Sequence, residues 1–351
     1  MLEQATQVEL ARRFSPGELG RAAQRRHDPR IAEALAHAGE YGLAEYVAAG
    51  PRLWRRWRDG WAVDNPPERL AGAAIVAVAV DGRRAGLTGA VPQRLLEELF
   101  LGYLEQRVAR RLGAGVFAGG LAWAAEPVQA TSALLLPVEG GWVAFDYLVD
   151  RLEAEPAAPV VPDATWAAVV AVAGAGEALG VGVAAYFAGR HGLAEQAWRK
   201  AADAGHHDAE FNLGVLLQER GELAEAERWY RRAAEAGQHD AESNLGLVLK
   251  ERGELAEAER WYRRAAEAGH HDAEFNLGVL FQERGELAEA ERWWRRAAEA
   301  GHHDAESNLG VVLKQQGRVE EAERWWRRAA EAGHEGAASA LVWLRESRSS
   351  G

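Results

Sequence analysis

The sequence predicts a nearly all-α protein in which an N-terminal helical domain leads into an α-solenoid of helical hairpins. Two observations carry this. His207, His239, His271 and His303 open four nearly identical segments spaced 32 residues apart, and a fixed period of this size marks units too small to bury an apolar face alone, which therefore stack. Within each segment apolar residues recur at intervals of three and four, with glycines interrupting at regular positions.

Each unit reads as two helices. Ala209, Leu213, Val215, Leu216 and Leu217 give the first an apolar face, Gly221 ends it, and Leu223, Ala226, Trp229, Tyr230, Ala233 and Ala234 pattern the second. Gly237 is expected to stop that helix in left-handed backbone, with Asp240 as N-cap of the next hairpin. Gly214, Ala226 and Ala233 allow close approach of helices, while Leu213, Leu217 and Tyr230 fill the space between them.

Moving this template back by one period finds a degraded unit at Gly182, Gly189, Ala194, Trp198, Ala201 and Gly205. The expectation is five hairpins at 175–206, 207–238, 239–270, 271–302 and 303–334, preceded by a linker or first solenoid helix at 161–174. A capping helix through Ala337, Ala340, Leu341, Val342 and Leu344 should follow, with Ser347 to Gly351 frayed. Phe211, Ser243, Phe275 and Ser307 alternate, as do Gln218, Lys250, Gln282 and Lys314, so a pair of units is itself duplicated. Near-identity at exposed Glu222, Glu225 and Glu227 points to recent duplication or consensus-style design.

These units resemble the tetratricopeptide repeat and its Sel1-like relative. The tetratricopeptide pattern falls on Glu210, Leu213, Gly214, Leu217, Ala226, Tyr230, Ala233 and position 238, departing from it at the Trp, first Tyr and Pro positions. The Sel1-like ending and opening match Ala233-Ala234-Glu235-Ala236-Gly237 and Ala241 with Leu245-Gly246, without the usual insertion between helices. The resemblance implies a protein or peptide partner held in a groove lined by the first helices. Carried across by position, the groove residues are Phe211, Asn212, Val215, Gln218 and Glu219 and their equivalents, among them Asn244, Lys250, Phe275, Asn276, Gln282, Asn308 and Lys314. Asn212, Asn244, Asn276 and Asn308 form a ladder of amides able to donate to and accept from an extended peptide; the other use for them is bonding to neighbouring helix backbone.

Residues 1–160 form the N-terminal domain. Turn signals stand at Ser15-Pro16-Gly17, Asp28-Pro29, Gly50-Pro51, Asn65-Pro66-Pro67 and Glu126-Pro127, with helices expected at Ile31–Ala49, Glu68–Ala85, Pro92–Arg111 and Trp166–Ala173 and a short β-hairpin near 134–145. The segments Ala73 to Gly86 and Phe145 to Asp150 resemble the helical region before the repeats in actinobacterial signalling ATPases of the STAND type. That resemblance implies a sensor fragment acting alone or beside a separately encoded ATPase.

Other classes of function are disfavoured. Met1 to Phe14 reads as a charged amphipathic helix with no apolar signal core, which with the absence of cysteine suits the cytoplasm. The apolar stretch Trp166 to Gly189 is interrupted by Glu177, which argues against a membrane span. The net charge is −12, and through residue 173 the chain has 18 Arg against 21 acidic residues, so most of that charge lies on the repeats, a poor surface for a phosphate backbone. His206-His207-Asp208 and its echoes look like metal ligands, but adjacent imidazoles seldom converge. With no phosphate-binding loop, nucleophile elbow or zinc-protease motif, the sequence reads as a non-enzymatic interaction scaffold without a cofactor, metal or catalytic residue.

Overall fold

The computed structural model describes residues 43–128 and 132–349, and eighteen α-helices lie within them. Contacts divide the chain into two units between Ala197 and Trp198. The helix expected at Met1 to Phe14, the turns at Ser15-Pro16-Gly17 and Asp28-Pro29, and most of Ile31–Ala49 lie outside the described residues.

The first unit is organised around a central helix. After α1 (Leu43–Gly60), Pro66 and Pro67 start α2 (Pro67–Arg84), with Glu68 in its first turn and Arg83 and Arg84 in its last, complementing the helix dipole. Every residue of α2 from Leu70 to Gly82 is buried, because α1, α5 and shorter elements surround it. Its run of Ala and Val therefore lacks a polar face. Next come α3 (Gln93–Leu99), a 3-10 turn at Phe100–Tyr103, α4 (Gln106–Leu112) and α5 (Phe117–Ala125). β1 (Leu135–Val138) pairs antiparallel with β2 (Gly141–Ala144), and Gly140, at φ 88°, closes the two-residue turn. Helices α6 (Asp146–Glu153), α7 (Asp163–Val172) and α8 (Ala175–Phe187) follow.

Three local expectations need correction. Gly50-Pro51 is no turn but lies inside α1, where Gly50 faces the ring of Tyr147 so closely that an added Cβ would sit 2.5 Å from it. Pro92–Arg111 is not one helix: the chain tightens at Phe100–Tyr103, and Tyr103 there donates to Asp81 (2.9 Å) and shares a hydrogen bond with Thr165 (2.8 Å). At the other end of the chain the last helix runs on to Ser349 rather than fraying from Ser347, whose hydroxyl donates to the carbonyl of Trp343 at 2.7 Å.

Gly174 breaks the apolar stretch from Trp166 to Gly189 into α7 and α8, and no described helix is long and apolar enough to cross a membrane. Glu177, in the first turn of α8, accepts from the backbone N–H groups of Gly89 (2.7 Å) and Thr88 (3.1 Å). The first helix of the earliest hairpin is thus fastened to the N-terminal elements. This is why the unit boundary falls inside α9 (His191–Asp203), later than the period alone would place it.

The hairpins repeat one geometry. First helices α10 (His207–Glu219), α12 (His239–Glu251), α14 (His271–Glu283) and α16 (His303–Gln315) alternate with second helices α11 (Leu223–Glu235), α13 (Leu255–Glu267), α15 (Leu287–Glu299) and α17 (Val319–Glu331), before α18 (Glu335–Ser349). The glycines between helices from Gly189 to Gly333 adopt φ between 73° and 94°. At Gly237 the next N–H, of Gln238, returns to the carbonyl of Ala233 (3.1 Å), the bond that closes a helix C-terminus. Inside each of these four hairpins a glycine meets a fully or almost fully buried ring. A Cβ at Gly214 would lie 2.5 Å from Tyr230, and Gly246, Gly278 and Gly310 face Tyr262, Trp294 and Trp326 in the same way.

This packing sets an expected contrast in chemical denaturation. Ala226→Leu, at a fully buried position, should destabilise by about 1–3 kcal/mol through overpacking. Glu222→Gln, on an exposed residue, should change stability by less than about 0.5 kcal/mol. Equal losses would mean the helix faces are misassigned.

Candidate ligand-binding face of the repeat array

The four hairpins from residue 207 on are each locked by a buried carboxylate. Glu210, Glu242, Glu274 and Glu306 sit among apolar neighbours on the first helices and are at most 2% exposed. Arg232, Arg264, Arg296 and Arg328 from the second helices reach them at 2.6–2.8 Å. His207, His239, His271 and His303, one turn earlier, approach the other oxygen at 3.0–3.2 Å. For Glu242 and Glu306 the arginine contact is an ion pair without hydrogen-bond alignment. The four guanidinium groups lie over Trp229, Trp261, Trp293 and Trp325 at 4.7–5.6 Å. Arg232 and Arg296 also donate to the carbonyls of Ala202 and Ala266 in the preceding hairpin.

The histidine pairs have separate duties. His270, His302 and His334 precede their helices; Nδ1 accepts from the N–H groups of Ala273, Ala305 and Ala337, while Nε2 lies 2.9–3.3 Å from Asp240, Asp272 and Asp304 of the hairpin before. Asp240 is therefore not the N-cap; it stands in the first turn, behind Gln238, and binds the next junction's histidine. Among the described residues no cluster has the makings of a metal site.

The groove positions line up on the first helices, on a different face from the buried glutamates. The side-chain amides of Asn212, Asn276 and Asn308 are half-buried and, among the described residues, make no hydrogen bond, whereas Asn244 donates to the Tyr230 hydroxyl at 3.4 Å. Half-buried Phe211 leans on Tyr230 (5.9 Å) and Phe275 stacks on the His302 ring (4.8 Å, 12°), while Ser243 and Ser307 are buried. Gln218 accepts from Tyr230 (2.8 Å); Gln282 is exposed, because Trp294 stands in place of tyrosine and donates to the Phe275 carbonyl instead. Lys250 pairs with Glu283 (2.8 Å), and Lys314 sits 3.6 Å from the ring centre of Trp343. Trp343, 49% exposed, continues the column Val215, Leu247, Val279 and Val311 by one more period, which the sequence reading missed although the spacing shows it.

A family model described as the tetratricopeptide repeat matches residues 182–241, and a second model of the same description matches 243–268, 276–300 and 307–334. Among solved structures, a Sel1 repeat protein from Oxalobacter formigenes is 28% identical, the match covering 48% of this chain and 74% of that one (TM-score 0.42). YrrB, described as a TPR protein with an unusual peptide-binding site, is 24% identical over 47% of this chain and 90% of its own (0.37). The protective antigen c5321 of uropathogenic Escherichia coli, with an SLR fold, is 20% identical over 92% of this chain and 73% of its own (0.46). The search of curated proteins found no match. The array is an α-solenoid of stacked hairpins. The segments that the models match, between residues 182 and 334, are tetratricopeptide-like repeats.

Ion pairs between successive second helices make the array sensitive to acid. Hydrogen bonds from Arg199, Arg231 and Arg295 hold the carboxyls of Glu225, Glu257 and Glu321 below their ordinary value of 4.5. A depressed carboxylate contributes stability above the unfolded value and loses it as pH falls through the folded one. The melting temperature should therefore drop between pH 6 and pH 3, and Arg231→Gln, which unties Glu257, should reduce that drop. An unchanged pH profile in the variant would show the ladder to be energetically silent.

Proposed function

We propose that the protein is a non-enzymatic interaction scaffold that holds an extended peptide segment of a partner along the first-helix face of the array. The observation that carries this reading is the set of half-buried amides at Asn212, Asn276 and Asn308 with no hydrogen-bonding partner among the described residues. An amide free to donate and accept beside the apolar column of Val215, Leu247 and Val279 suits a peptide backbone, whose own groups require partners once shielded from water.

The spacing gives the ligand a pattern. First helices of neighbouring hairpins touch, as α12 and α14 do, and packed helices have axes about 8–10 Å apart. An extended chain rises about 3.3 Å per residue, so one hairpin corresponds to about three ligand residues. Phe211 and Phe275 are two hairpins apart, which calls for apolar ligand side chains about six residues apart.

Peptides selected from a display library against the full chain should show that spacing. Asn276→Ala and Asn308→Ala should each weaken binding of a selected peptide by about 0.5–1.5 kcal/mol with helicity intact, and Phe275→Ser should weaken it more by deleting a pocket wall. Titration that finds all three unchanged would place the binding surface elsewhere.

A further inference from the structure

The N-terminal unit contains a cavity of about 440 Å³, a size that suits a small molecule. Trp54, Trp57 and Trp61 line one side, and Ala77, Asp81 and Tyr103 another. Trp57 is fixed by an indole N–H bond to the Ala73 carbonyl (2.9 Å) and an edge contact with Trp54 (5.5 Å), so this wall is rigid. Trp61, half-buried, has neither a ring contact nor a side-chain hydrogen bond among the described residues. Its ring is free to meet a ligand.

Charge decides the ligand class. Three charged side chains line the cavity, and both acids are already matched. Asp81, buried on α2, is paired with Arg84 (2.7 Å) and accepts from Tyr103 (2.9 Å); Glu155 is paired with Arg151 (2.9 Å). Arg58, exposed, has no ion pair among the described residues. A metal ion would need bare oxygen ligands, and both Asp81 oxygens are occupied. An organic cation would meet an unmatched guanidinium. A carboxylate would find in Arg58 a two-pronged donor and would be turned away from the interior by Asp81.

We propose that this cavity binds an aromatic carboxylate, its ring among the tryptophans and its acid group on Arg58. The ring stacks on indole faces, and the buried acid at the inner end fixes the orientation, keeping the ligand's charge at the mouth.

Calorimetric titration of the full chain with 4-phenylbutyrate, 4-phenylbutanamide and 4-phenylbutylamine tests this. The carboxylate should bind at least about tenfold more tightly than the amide, and the amine most weakly. Arg58→Gln should bring carboxylate and amide to the same affinity, while Trp61→Ala should weaken both alike, with circular dichroism unchanged in both variants. Binding of the amine as tight as the carboxylate, unchanged selectivity in Arg58→Gln, or no heat from any probe at millimolar concentration would each overturn the proposal.

Discussion

A carboxylate buried on each of the four first helices α10, α12, α14 and α16 governs how this array is built. Burying the carboxylates of Glu210, Glu242, Glu274 and Glu306 is costly unless a cation reaches them. The second helix must therefore present its arginine one period after the last, which fixes the register of the two helices. In two hairpins the same guanidinium also grips a carbonyl of the preceding unit, so the lock sets the stacking as well. Glycine opposite a buried ring brings the helices close enough for that reach. Because Glu210 and Asn212 are two residues, about 200°, apart on the helix, locking the glutamate inward leaves the asparagine on a face the hairpin does not consume. Structure and proposed function thus share one cause.

The repeats were legible because their signals are local and redundant. Glycine at positions such as Gly237, small residues at Ala226 and Ala233, and a strict period identify ten helices from residue 175 to 334 without tertiary information. What escaped was pairing at a distance. Arg231 does pair with Glu227 on its own helix, as the spacing suggests, but Arg232 beside it turns inward to Glu210, and only the burial of Glu210 reveals why. The signal was present: a glutamate at the position of Glu210 in each of the four full-period first helices, on what should be the apolar face. Asp240 read as an N-cap because the residue type is typical of one. The backbone places the cap two residues earlier, where histidine performs the same bonding at three junctions.

The N-terminal unit was harder to read for a related reason. Its central helix was legible as Glu68–Ala85 although burial on all sides leaves it no polar face, but Pro51 sits in a helix that proline ordinarily interrupts. Tertiary contacts decide there: Tyr147 against Gly50, and Asp81 drawing Tyr103 into a tightened turn. Of the groove residues, Asn212, Asn276 and Asn308 emerge with free amides, but Asn244, Gln218 and Lys250 are engaged within the protein. Whether tyrosine or tryptophan fills the hairpin interior determines this in part, since only tyrosine's hydroxyl reaches the amides of Gln218 and Asn244.

The most direct test of the buried lock is a double-mutant cycle in the full chain with Glu242→Gln, Arg264→Met and the two combined, followed by chemical denaturation. If the pair sets the register of its hairpin, each single change destabilises by leaving its partner unmatched, and the double variant recovers part of the loss, giving a coupling above about 1 kcal/mol. Additive losses, with coupling indistinguishable from zero, would show that glycine and aromatic packing alone hold the hairpin together.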